Sequence, residues 1–154
     1  MYLSKSTKQL KKDWKLTSAS ISLILIVSIG ILVSISAFPS VRGNTIEKIG
    51  VGVYQDQNCE KTYDQIKWGT IDLGASVSQT IYLKNELEYP AQFSLLVSRW
   101  TPTSALKYLV LSWNYSDQRV DPGQVIPVEL TLALSENAVD LTDFSFNIRI
   151  SAGK

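Results

Sequence analysis

Between Thr17 and Phe38 the chain runs for 22 residues without a charged side chain, and five lysines (Lys5, Lys8, Lys11, Lys12 and Lys15) precede it. As a helix rising about 1.5 Å per residue this stretch would reach roughly 33 Å, close to the roughly 30 Å hydrocarbon core of a bilayer. A helix that is apolar all round needs lipid or a large protein around it, so the segment is expected to cross a membrane once. Its densest part, Leu23 to Val33, is interrupted only by Ser28 and Gly30. The serines elsewhere in it cost little, because a hydroxyl can bond back to a carbonyl one turn earlier. Phe38-Pro39 marks the end, since proline disfavours helix in the residue before it, and Trp14 stands at the edge that an indole prefers.

Orientation follows from the lysines, because the flank richer in Lys and Arg stays in the cytoplasm. Four parts are therefore expected: a cytoplasmic basic tail over 1–16, a transmembrane helix over 17–38, a short stalk over 39–44, and an extracytoplasmic domain over 45–154. The net charge is +4 over residues 1–15 and −3 over residues 39–154. The competing reading is a cleaved secretory signal, with a basic start, an apolar middle and small residues near Ser36-Ala37. Against it, the uncharged stretch exceeds the usual signal core of about 7 to 15 residues.

Beyond Pro39 the hydrophobic pattern changes from continuous to alternating, the mark of half-buried strands. Ile126, Val128, Leu130, Leu132 and Leu134 form the clearest series, with Pro127, Glu129, Thr131 and Ala133 between them. Phe144, Phe146, Ile148 and Ile150 repeat the period, and so do Ala91, Phe93, Leu95 and Val97. Weaker strand patterns cover Ile46 to Tyr54, Gln65 to Trp68, Val77 to Lys84 and Tyr108 to Tyr115. That makes about seven strands, enough for an all-β, two-sheet antiparallel sandwich. Leu73-Gly74-Ala75-Ser76, Glu88-Tyr89-Pro90 and Asp121-Pro122-Gly123 carry turn chemistry between them. Pro127 lacks a backbone donor, so it points to an edge position or a bulge. Trp68, Trp113, Phe93, Phe144 and Phe146 are the expected bulk of the core.

The chain has no histidine and a single cysteine. A Ser/His/Asp triad, a Cys/His dyad, a multi-ligand zinc site and an internal disulfide each need residues it lacks. A Ser/Lys peptidase needs no histidine, but no serine stands in a recognisable nucleophile setting. Neither a phosphate loop nor a concentrated basic patch occurs in the acidic outer part, so no cofactor, no nucleic acid and no enzymatic activity are expected.

Asn114-Tyr115-Ser116 is a glycosylation sequon on the expected outer side, and Asn114 should point outward if Leu109, Leu111 and Trp113 face the core. An asparagine that caps a turn is the plainer reading of the same residues. Cys59 is expected either as a buried small apolar side chain, the favoured reading, or as an intermolecular thiol. Asp56-Gln57-Asn58-Cys59-Glu60 has oxygen ligands at alternate positions like the first half of a calcium loop, but Lys61 and Lys67 occupy the positions that need glycine and a bidentate acid. An EF-hand loop is thereby excluded, and a solvated polar loop is preferred over a shallow calcium site. Trp100, Tyr108, Tyr115 and Tyr63 could form a sugar platform, but core packing or loop anchoring accounts for them more simply.

The phrases Gly52-Val53-Tyr54, Asn58-Cys59, Ile66-Lys67-Trp68-Gly69, Ile81-Tyr82-Leu83-Lys84-Asn85, Trp100-Thr101-Pro102, Leu111-Ser112-Trp113-Asn114-Tyr115 and Pro122-Gly123 follow the membrane segment in that order. In layout and in these strand-edge phrases the chain resembles small archaeal single-pass membrane-anchored surface proteins. The resemblance implies an immunoglobulin-like sandwich on the cell surface and carries no catalytic signature. The chain is less similar to type IV pilins and archaellins, whose leader is cut just before the apolar helix at a motif that Lys15-Leu16-Thr17 does not match. A lipoprotein is excluded, because no cysteine ends the apolar stretch.

The expectation from these readings is a non-enzymatic cell-surface protein, held in the lipid bilayer and binding another surface or membrane protein or the envelope through loops and edge strands. A second reading is a secreted filament or matrix subunit assembled by strand exchange after signal cleavage, with Ile46 to Tyr54 completing a neighbour's sheet. A third is an accessory subunit of a membrane complex whose helix serines pack against partner helices.

Overall fold

Three strands compete for the flanks of one, Asp143–Gly153, and their arrangement organises half of the molecule. A computed structural model describes residues 40–41, 44–138 and 140–154. The expected membrane segment and cytoplasmic tail lie outside the described residues, among which no helix is long and apolar enough to cross a membrane.

The strands in chain order are β1 (Ser40–Val41), β2 (Asn44–Ile49), β3 (Val51–Tyr54), β4 (Gln65–Ile66), β5 (Ser76–Asn85), β6 (Gln92–Thr101), β7 (Leu109–Trp113), β8 (Val125–Leu134) and β9 (Asp143–Gly153). A single turn of 3-10 helix, Thr103–Lys107, joins β6 to β7. The fold is all-β, with two mostly antiparallel sheets in a sandwich-like arrangement. The first holds β1, β2, β4, β6 and β9; the second runs β3-β5-β8-β7.

Alternation makes the long strands two-faced. Phe144, Phe146, Ile148 and Ile150 on β9, and Ile126, Val128, Leu130, Leu132 and Leu134 on β8, are all buried. Each such side chain contributes roughly 1.5–3 kcal/mol over its exposed state. Trp68 and Phe93 are buried as expected, whereas Trp113 is only half-buried against the core.

Several expectations need correction. Within the stretch expected as a stalk, Ser40 and Val41 pair in parallel with Asp143 and Phe144 and Asn44 opens β2, while residues 39, 42 and 43 lie outside the described residues. Between Ser40↔Asp143 and Ile46↔Ile148 the register gains a residue, and Asn44 Oδ1 accepts the Phe146 N–H at 2.8 Å at this join. An amide side chain there stands in for a missing ladder bond.

The strand expected over Ile46 to Tyr54 is two strands, one in each sheet. Gly50 lies between them with φ +67° and hands the chain from β9 to β5. A side chain at Gly50 would also meet Leu87 Cδ2 at 3.0 Å, so both the turn and the space call for glycine.

Pro127 sits in β8, which is flanked by β5 and β7 and is not an edge strand. The pairing of β7 with β8 stops at Trp113 opposite Leu130, so Pro127 lies beyond the end of its neighbour. The Glu129 N–H points to that same flank, where Asn114 Oδ1 accepts it, and two-residue alternation turns the Pro127 nitrogen the same way. The missing donor therefore interrupts no ladder. The strand over 65–68 shortens to Gln65–Ile66, and with the added short segments the described residues form nine strands where about seven were expected.

Candidate functional site

Among the described residues β1, β4 and β6 border the first sheet and β3 and β7 the second, and these edges are treated differently. β4 is two residues long. β3 is covered by its own loop, since the Tyr63 N–H reaches Val53 O at 2.8 Å and Tyr54 bridges Thr62. β7 is a five-residue edge. β6 is ten residues long and pairs only with β9.

The first part of the β6 edge is closed by the segment after β7. Ala91 and Val120 exchange two backbone hydrogen bonds of 3.1 and 2.9 Å, Gln92 Nε2 donates to Asp117 O at 2.5 Å, and the Phe93 N–H donates to the Tyr115 hydroxyl at 3.1 Å. The Phe93 amide thus faces away from β9, and strand alternation turns the amides of Leu95 and Val97 to the same side. At Ser98 to Thr101 the register with β9 shifts and Arg99 takes φ +55°, a bulge that ends the regular edge. The open window is about three residues, or roughly 10 Å. No residue from Gln92 to Ser98 is charged, and Leu96 is 53% exposed. Exposed edges usually carry lysine or proline against unwanted pairing, and this one carries neither.

The sequon is presented at the end of β7. Asn114 is exposed, its N–H donates to Glu129 O at 3.1 Å, and its Oδ1 accepts the Glu129 N–H at 2.9 Å. Both bonds leave the amide nitrogen, the atom a glycan would occupy, outside the ladder. The residue between acceptor and hydroxyl, Tyr115, is 9% exposed and packs its ring 5.6 Å from Phe93 and 5.2 Å from Trp113.

The loop around Cys59 is built by Asp56. Its carboxylate accepts the amides of Glu60 at 3.1 Å and Lys61 at 2.9 Å, while its carbonyl accepts the Cys59 N–H at 3.2 Å. The Glu60 amide, aided by those of Lys61 and Asn58 and opposed by desolvation, lowers the Asp56 carboxyl below its ordinary value. This carboxylate is turned onto its own loop, which explains the alternating polar residues without a cation. Among the described residues no group of three or more His, Cys, Asp or Glu side chains could hold a metal ion. Cys59 itself takes φ +60° and is half-buried, so the favoured expectation of burial gives way to partial exposure. Its Sγ donates to Gln57 O at 3.8 Å. Nearby, a 2.5 Å hydrogen bond from Lys48 holds Asp64 below the usual carboxylate range.

The four aromatics that could have formed a platform are used as anchors instead. Trp100 lies 4.4 Å from Phe146, Tyr63 and Tyr108 pack partly buried against the core, and Tyr115 belongs to it. An open depression is lined by Gln92, Ser94, Asp117, Ser151 and Lys154, but Ser94 and Ser151 already bond to each other at 2.7 Å.

Sequence reading missed two buried donors, Asn44 Nδ2 and Trp68 Nε1, which have no hydrogen-bond partner. It also missed Leu106 on the 3-10 turn and Val110 on β7, which are 60% and 65% exposed. An apolar residue in a loop stretch, as at Ala105-Leu106, was the available signal. No protein-family model matches the chain, and no curated protein matches it.

Proposed function

We propose that this is a non-enzymatic, single-pass cell-surface protein, anchored by residues 17–38 with its N-terminus in the cytoplasm, whose immunoglobulin-like sandwich binds another surface protein or the envelope. The observation that carries the reading is the 22-residue uncharged segment with lysines on one flank only, leading directly into a β-domain that begins at Ser40. The immunoglobulin-like assignment is supported by two mostly antiparallel sheets in a sandwich-like arrangement, with β2 in one and β3 in the other joined at Gly50.

Binding would use the open window of β6. A partner strand laid along Leu95 to Val97 would gain main-chain hydrogen bonds, and Leu96 would provide side-chain selectivity. Glycosylation of Asn114 fits the same outer location.

The open edge also favours the second reading, a released subunit that assembles by strand addition. In that case the receiving strand is β6; the expected donor, Ile46 to Tyr54, is paired within its own chain to β9 and β5. One experiment separates the two. Intact mass and N-terminal sequence are measured on protein recovered from washed membranes and from the medium of the native host. A full-length chain in the membrane supports the anchored protein, whereas a chain beginning after Ser36 in the medium overturns it in favour of the released subunit.

A further inference from the structure

We infer that the open window of β6 pairs with the same window of a second copy of this chain, antiparallel about a two-fold axis at Leu96. The inference rests on the reading of β6 as the binding edge and names its occupant.

Backbone direction sets the register. The Phe93 amide faces away from β9, and every second residue of a strand presents its N–H and C=O to the same side, so Leu95 and Val97 offer their main chain outward. In an antiparallel pair a residue exchanges both bonds with the one directly opposite, so outward residues must meet outward residues. An axis at Leu96 sets Leu95 of each copy opposite Val97 of the other, and the outward donors and acceptors of both are then used. Neighbouring registers fail. An axis at Leu95 would set Val97 against Phe93, whose amide is already bonded to Tyr115. An axis at Val97 would set Leu95 against Arg99, which lies in the bulge with φ +55°.

The side chains agree with that register. Leu96, on the outer face, meets its own copy across the axis in a non-hydrogen-bonded pair, where side chains lie closest. Ser94 of one copy faces Ser98 of the other, both small and uncharged. On the inner face Leu95 and Val97 are only partly buried against the core, and pairing covers what remains of them. Exposed Arg99 stands just past one end of the window, and exposed Asp117, whose carbonyl holds Gln92, stands at the other. The two-fold turns Arg99 of each copy toward Asp117 of the other, so unlike charges meet at both ends.

No block of like charge opposes the pairing among the described residues. Around the covered end Glu88, Asp117 and Asp121 stand with Arg119 and Lys154; around the bulged end Arg99 and Lys107 stand with Glu136, Asp140 and Asp143. On the outer face beside Leu96, Arg149 is bonded to Glu47 at 2.8 Å. The window of about three residues is short against the roughly 20–30 residues a side of a standard interface, so association is reversible and rises with concentration. The absence of lysine and proline from this edge, which a strictly solitary chain would need, is what self-pairing requires.

The test uses the full-length chain with Cys59→Ser in mild detergent over a range of protein concentrations. Leu96→Cys is compared with Ser112→Cys, an exposed position on β7, by the rate at which a mild oxidant forms disulfide-linked dimers. Amide exchange at Leu95 and Val97 is followed in the chain without a new cysteine. A non-hydrogen-bonded pair has Cα atoms about 4.5 Å apart, within the roughly 4.4–6.8 Å of a disulfide, so Leu96→Cys should cross-link several-fold faster than Ser112→Cys. Exchange at Leu95 and Val97 should slow several-fold as concentration rises, and Leu96→Lys, which sets like charges together on the axis, should abolish that slowing. Cross-linking no faster at 96 than at 112, or exchange independent of concentration, would overturn the second copy as occupant. Fast exchange throughout would leave β6 open to another protein, whereas slow exchange in chains that light scattering shows to be monomeric would mean a closed edge and overturn the binding reading as well.

Discussion

Removing one oxygen, in Tyr115→Phe, tests whether the segment after β7 closes the β6 edge. The hydroxyl accepts the Phe93 N–H at 3.1 Å and donates to Gln118 O. Phenylalanine keeps the ring contacts with Phe93 and Trp113, so the change isolates the hydrogen bonds. Gln118 is exposed, and water replaces the lost donor there at little cost. Phe93 is 3% exposed, and its amide would be left without a partner. A buried donor left unsatisfied costs about 1–3 kcal/mol, so a loss of about 2 kcal/mol is expected. For a domain of this size that corresponds to a fall in Tm of about 8 °C. The assay is urea and thermal unfolding of the full-length chain in mild detergent, followed by tryptophan fluorescence, with Tyr89→Phe as control. Tyr89 is 39% exposed, and its variant should stay within about 0.5 kcal/mol of wild type. The reasoning is refuted if Tyr115→Phe is no more destabilising than Tyr89→Phe, or if amide exchange at Phe93 is not faster in the variant.

Other substitutions probe the remaining joints. Gly50→Ala forces a Cβ into a positive-φ position against Leu87 and should cost about 1–2 kcal/mol, read as a lower urea midpoint. The order of the 56–61 loop should depend on pH through Asp56. Its folded pKa is depressed, so its contribution is complete above the ordinary value of 3.8 and is lost as pH falls through the folded value; the amide shifts of Glu60 and Lys61 should follow that titration and lose it in Asp56→Asn. Asn114→Gln should remove any glycan mass from the Trp113-containing peptide of host-derived protein. In unmodified protein, losing the surface bond to Glu129 should cost less than about 1 kcal/mol in an unfolding curve.

The strands that could be read from the sequence are those whose period is local. β6, β8 and β9 are each ten or eleven residues long and show their inward side in a row of alternate apolar residues, whereas in the equally long β5 Gln79 interrupts the series of Val77, Ile81 and Leu83 and weakens the signal. The short elements fail for the opposite reason. β1 and β4 have two residues each, too few to show any period, and they exist because a distant strand holds them. Ser40 needs Asp143, and the Asn44 side chain needs the Phe146 amide 102 residues away. The division of Ile46 to Tyr54 was partly visible, because Gly50 stands in its middle; that the glycine sends the chain into another sheet depends on β5 and β9, which lie elsewhere in the sequence.

The candidate surface was less legible still, because an edge is defined by what does not pair. The alternation of Phe93, Leu95 and Val97 reads the same in a central strand as in an edge strand, so the exposure of Leu96 on β6 could not be inferred from it. Nor could the partial closure of that edge, which depends on Val120 meeting Ala91 and on the Tyr115 hydroxyl reaching Phe93 across 22 positions. The sequon shows how the two levels combine. Its three residues gave the outward direction of Asn114 from alternation alone, while its tie to Glu129 and the burial of Tyr115 appear only once β7 lies beside β8. The same tie limits what Asn114 can do. With Oδ1 held by a main-chain amide, the side chain cannot turn inward, and the nitrogen stays available on the outer side of the β7–β8 ladder.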